Sequence, residues 1–153
     1  MTTHRRDWGR IFRRAATAGF AASGVLHLST FTSFPPEYAA AVALALFVGA
    51  FLLLGAMIVR LREAGAAARG RGTVRVVDWR ALVALVPEGP QRAAVAVLAY
   101  VLLNLGLSLL LADEGAGSVR LLSGHLLLFY LIPLLYFRFV EPRLRAGDGP
   151  SEP

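Results

Sequence analysis

The chain contains no cysteine, so disulfide frameworks, thiolate metal sites and thiol chemistry are excluded. Lysine is missing too: all 16 Lys/Arg positions are arginine, a usage that points to a GC-rich genome rather than to a mechanism. From residue 38 to residue 59 there is no charged or amide side chain on any face. A soluble helix keeps a polar stripe toward water, and this stretch has none to offer. No paired carboxylates, no nucleophile beside a base and no glycine-rich phosphate loop can be found at a recognisable spacing. The expectation is a protein that is not an enzyme.

What the chain does have is hydrocarbon. Of its 153 residues, 56% are apolar, and the length suits one domain, placed at 1–145. Apolar runs occupy 15–34, 38–59, 93–112 and 121–140. Each holds about 20 residues, which as helix covers the hydrocarbon core of a bilayer. The fold class that follows is all-α, a transmembrane four-helix bundle.

A net charge of +6 raises the question of nucleic acid. The arginines, however, flank the apolar runs and form no basic face interleaved with aromatics. Lipid is therefore the expected partner and nucleic acid is not. Arg5, Arg6, Arg10, Arg13 and Arg14 precede the first run, and Arg60, Arg62, Arg69, Arg71, Arg75, Arg80 and Arg92 fill the middle connection. Arg138, Arg143 and Arg145 close the fourth run, and Arg120 alone falls on the other side. The positive-inside rule then places both termini and the middle connection in the cytoplasm of a multi-pass inner (plasma) membrane protein. Short connections at Ser33-Phe34-Pro35-Pro36 and Gly115-Ala116-Gly117-Ser118 make two antiparallel helix pairs.

The middle connection reads as a flexible basic strap over 63–72. An amphipathic interfacial helix over 79–86 follows, capped by Asp78, with Trp79, Leu82, Val83 and Val86 on one face and Pro87 and Pro90 ending it. The tail at 146–153 has a disordered composition. A cleaved signal peptide competes for the first run. Ala15, Gly19 and Ser23 recur every four residues there, however, as Ala41, Ala45 and Gly49 do in the second run. Those small faces predict close contact between the first and second helices.

Polar groups inside a span are costly and normally face protein. His27 lies about 9 Å from the outer end of its run, His125 lies at comparable depth, and Asn104 is a little deeper. Asn104 shares a stripe with Tyr100 and Ser108, while Ser123 and Tyr130 flank His125 on the fourth run. Two histidines at one level could ligate haem or a metal ion axially. The competing reading needs no cofactor: neutral imidazoles hydrogen-bond across helices. Pro133 crowds the Phe129 carbonyl and predicts a kink that adjusts packing. Tyr136, Phe137 and Arg138 fit an interfacial belt, with Glu141 placed to pair with Arg138.

The stretch Ser123-Gly124-His125-Leu126-Leu127-Leu128-Phe129-Tyr130 resembles a Ser-Gly-His-x-x-x-Phe-Tyr signature of small bacterial four-helix integral membrane proteins. Those proteins are similar also in a proline-bearing loop, here Pro87 or Pro90, before a helix with a Tyr…Asn pair, here Tyr100 and Asn104. Leu126 stands where that signature has tryptophan. The resemblance covers about a third of the chain and implies the fold and a role for His125, with no activity attached.

Three functions compete on these residues. The first is a structural or accessory membrane protein, working with other membrane subunits or as a homo-oligomer. The second is a haem- or metal-binding redox protein using His27 and His125. The third is a small oligomeric transporter or proton relay.

Overall fold

Leucine- and alanine-rich runs with prolines confined to their edges favour long helices, and helices are what form. The computed structural model describes residues 8–32, 36–70, 79–110 and 116–146; within them every regular element is helical and there is no strand. In chain order these are α1 (Trp8–Ser29), α2 (Pro36–Gly70), α3 (Trp79–Ala84), α4 (Glu88–Leu110) and α5 (Ala116–Leu135). A π-helical segment, Tyr136–Val140, then joins α5 directly to α6 (Glu141–Ala146). Three stretches are long and apolar enough to cross a membrane: Glu37–Ala66, Glu88–Leu110 and Arg120–Ala146. The first helix is not among them.

Several boundaries differ from the sequence reading, each for a local reason. The first helix stops at Ser29, short of the expected residue 34. Ser29, Thr30 and Thr32 hydroxyls each donate to the carbonyl three residues back, at 2.7, 2.7 and 2.8 Å. They thereby satisfy last-turn carbonyls and close the helix. Conversely, α2 runs on to Gly70, so the part of the strap up to residue 70 is helix. Alanines at 64, 66, 67 and 68 favour that state, and Arg60 pairs with Glu63 at 3.2 Å.

The surface helix α3 is shorter than expected: Leu85 and Val86 leave it and bury themselves, while Trp79 stays exposed. Gln91 Nε2 donates to the carbonyls of Val83 at 3.0 Å and Val86 at 2.6 Å, capping the end of α3. Pro90 does not end an element; it lies in the first turn of α4, where a missing N–H breaks no helical bond. Likewise α5 begins at Ala116, inside the expected Gly-Ala-Gly-Ser turn. Arg5, Arg6, the Ser33-Phe34-Pro35 stop, Arg71, Arg75, the Asp78 cap, Asp113, Glu114, Gly115 and the tail from 147 lie outside the described residues.

The hub is α5. Helices α1, α2 and α4 all pack on it, and α1 also touches α2. The α1–α2 contact expected from small residues therefore exists; the α1 face holds at Gly19, Ser23 and His27 and fails only at Ala15, whereas the α2 face is phased differently. Ala15 is exposed, and the buried face of α1 is Ala16, Gly19, Ser23, Leu26 and His27. Ala41 and Ala45 are exposed as well, whereas Ala39, Ala43, Ala50 and Leu53 are buried.

Gly19 and Gly49 serve a third helix. A Cβ at Gly19 would overlap the Tyr130 ring, and one at Gly49 would stand 2.6 Å from the Tyr130 hydroxyl. That hydroxyl donates to the Leu46 carbonyl at 2.7 Å. Tyr130 of α5 thus wedges between α1 and α2, with its ring against glycine and its polar tip satisfied.

The end of the molecule holding α6 is ionic. The π segment, closed by the Glu141 N–H to the Tyr136 carbonyl, follows one turn after Pro133. Glu141 is buried and bonds Arg145 at 2.6 Å, with Arg60 of α2 at 3.9 Å. The expected Glu141–Arg138 pair does not form: Arg138 lies over the Phe139 ring, 5.5 Å from its centroid. Arg143 donates to the Leu85 carbonyl and ties α6 to the exit of α3.

Candidate functional site: a hydrogen-bond chain through His27

At the opposite end, where α1 stops and α5 starts, three helices deliver polar side chains to one place. His27 of α1 is 3% exposed. Its Nδ1 lies 2.8 Å from Ser123 Oγ on α5, and its Nε2 is hydrogen-bonded to the Tyr100 hydroxyl on α4. The tautomer follows from counting hydrogens. Ser123 has one, and it goes to the Arg120 carbonyl at 3.0 Å. Ser123 Oγ must then accept from His27 Nδ1–H, which leaves His27 Nε2 to accept from Tyr100 O–H. The result is a directed chain, Tyr100 to His27 to Ser123 to the Arg120 carbonyl. Every hydrogen-bonding position on the imidazole is occupied.

Neighbours close around the chain. Asn104, one turn along α4 from Tyr100, is buried and sends Nδ2 toward the same Arg120 carbonyl at 3.4 Å. A Cβ at Gly124 would stand 2.6 Å from Asn104 Nδ2 and 3.7 Å from His27 Cε1, so only glycine admits both. The rings of Phe31 and Tyr100 meet His27 edge-on, each with centroids 5.5 Å away. Tyr100 itself is 40% exposed and forms the outer side of the cluster.

Arg120 is the residue that sequence reasoning passed over. Its Nη2 donates to the Thr30 carbonyl at 3.2 Å, and its guanidinium centre lies 4.4 Å from the Phe31 ring centroid. The side chain therefore caps the end of α1, where free carbonyls and the helix dipole favour a cation. Its Nε is buried without a hydrogen-bond partner. The signal was present in the sequence: Arg120 is the one arginine on the side opposite the other fifteen in the expected topology.

The expected candidates divide accordingly. His27, Tyr100, Asn104 and Ser123 come together. Tyr130 lies about 10 Å further along α5, in its own wedge. Ser108 is half-buried and makes no hydrogen bond to the cluster among the described residues. His125 does not join His27: it is half-buried and bonds through Nδ1 to the Leu121 carbonyl of its own helix at 2.8 Å. Residues two apart on a helix point about 200° apart around its axis, so Ser123 and His125 cannot both face α1. The shared haem or metal site drawn between His27 and His125 is therefore not assembled here, with both nitrogens of His27 already engaged. Among the described residues no group of three or more His, Asp or Glu side chains converges as a metal site. No family model, curated protein or solved structure matches the chain.

Proposed function

We propose that this chain is a structural or accessory protein of the inner membrane. Four helices (α1, α2, α4 and the continuous α5–α6) cross antiparallel with both termini in the cytoplasm. The cluster at His27 is the clasp that joins three of them in the extracytoplasmic half. One observation carries the reading: His27 has no ring position left over, since Tyr100 and Ser123 take both nitrogens. An imidazole committed in this way joins helices, and such interhelical bonds contribute about 0.6–2 kcal/mol each. The arginine distribution supports the orientation, and α3 with Trp79 suits the cytoplasmic interface. The experiment is thermal unfolding of the detergent-purified protein with His27→Asn. A lowered melting temperature with an otherwise intact protein is expected; an unchanged one would remove the clasp.

A second reading rests on His125. Its Nδ1–H is held by a backbone carbonyl, the arrangement that leaves Nε2 as a lone pair able to bind a metal. A Soret band in the purified protein that disappears with His125→Ala, but survives His27→Asn, would favour a haem function over the structural one.

A further inference from the structure

We infer that α1 does not cross the membrane on its own, and that its crossing is conditional on the α4–α5 pair already being in place to receive His27 and the end of the helix. The inference rests on the four-crossing topology proposed above.

Three observations converge on it. First, α1 is the long helix absent from the three stretches long and apolar enough to span. Its helical part beyond Arg14 ends at Ser29, about 22 Å of helix against about 30 Å of hydrocarbon. Second, its polar groups sort into two kinds. Thr17, Ser23 and Ser29 hydroxyls donate to carbonyls of α1 itself, so they are satisfied wherever the helix goes. His27 and the Thr30 carbonyl have no such local partner.

Third, the partners of those two groups all come from later in the chain. They are Tyr100 of α4 and Ser123 and Arg120 of α5. Helix α2, the next to be made, supplies none of them. An imidazole and a helix end left unsatisfied in hydrocarbon are costly. Until α4 and α5 arrive, α1 is better placed at the cytoplasmic surface. There Arg10, Arg13 and Arg14 suit anionic headgroups, and its apolar side can lie against the acyl boundary.

The cysteine-free chain allows a direct test by single-cysteine labelling of the full-length protein in intact cells, using a membrane-impermeant maleimide. Thr32→Cys reports the end of α1, and Leu110→Cys the end of α4. In the parent background both are expected to label from outside. Combining Tyr100→Phe, Ser123→Ala and Arg120→Leu removes the three partners, and even weak interhelical bonds then predict about a tenfold loss of labelling at Thr32→Cys. Labelling at Leu110→Cys should persist. Adding His27→Leu should restore part of the labelling at Thr32→Cys, because one of the two groups that needed partners is gone.

Undiminished labelling of Thr32→Cys in the triple variant would overturn the inference, since α1 would then cross unaided. A parallel loss at Leu110→Cys would overturn it too, by showing general misfolding rather than selective failure of α1. Failure of His27→Leu to restore labelling would remove His27 as the cause. If Thr32→Cys in the parent chain labels only from the cytoplasm, the four-crossing topology itself fails, and the inference with it.

Discussion

The same helix, α5, is fastened to α1 at two levels by different physics. Around His27 the attachment is polar and directional: one imidazole, two hydroxyls and a carbonyl in a line, with Arg120 over the helix end. About 10 Å along the helix the attachment is steric, with the Tyr130 ring filling the space left by Gly19 and reaching Gly49. In lipid there is no hydrophobic drive to bring apolar helices together. Close packing and interhelical hydrogen bonds remain, and this protein uses one of each. The steric joint tolerates the loss of a hydrogen bond but not the gain of a side chain. The polar joint depends on its hydrogen bonds as well as on close approach, since Gly124 leaves no room for a Cβ beside Asn104.

Four substitutions test that contrast. Gly19→Val drives a branched side chain into the Tyr130 ring, and is expected to destabilise most, by about 3 kcal/mol. Thermal unfolding in detergent would measure it, and Tyr130→Ala in the same chain should recover part of the loss because the two positions are coupled. Next comes His27→Ala, which leaves Tyr100 and Ser123 without their partner and should cost about 2 kcal/mol. A double-mutant cycle with Tyr100→Phe would return a coupling if the bond is real, and none if it is incidental.

Smaller again, Tyr130→Phe keeps the wedge and removes only the bond to Leu46, for a loss of about 1 kcal/mol. A larger loss would mean the polar tip of Tyr130 matters more than its ring. The smallest effect belongs to His125→Ala, expected within about 0.5 kcal/mol because its Nδ1 bond lies within its own helix. A drop comparable to that of His27→Ala would show that the two histidines are not so different after all.

The long helices were legible because composition leaves them no alternative. The small-residue face of α1 was legible in phase from Gly19 onward, that of α2 only in kind. Alanines stand at 39, 40, 41, 43, 45 and 50 of the second run, so no single face is marked, and only the neighbour chooses between them. Gly19 and Ser23 lie on the buried face because steps of four lead back to them from His27; at the next step Ala16, not Ala15, is the buried residue. Of the Ser-Gly-His stretch, the residue that drew attention was the histidine. The serine and glycine before it make the contacts, and His125 faces away. Depth along a helix can be counted from a sequence, whereas direction around it needs a partner.

The sequence by itself determined that the chain is helical, that its long apolar runs suit a bilayer, and that His27 and Asn104, polar groups within such runs, call for protein around them. Hydropathy and the cost of polar groups in hydrocarbon are local properties of each run. Only the tertiary structure decided which groups meet: His27 with Ser123 and Tyr100 rather than with His125, Arg120 with the end of α1, and Glu141 with Arg145 and Arg60 rather than with Arg138. Those pairings depend on the rotation of each helix about its own axis. Contact with neighbouring helices sets that rotation, through the close approach of Tyr130 to Gly19 and of Asn104 to Gly124.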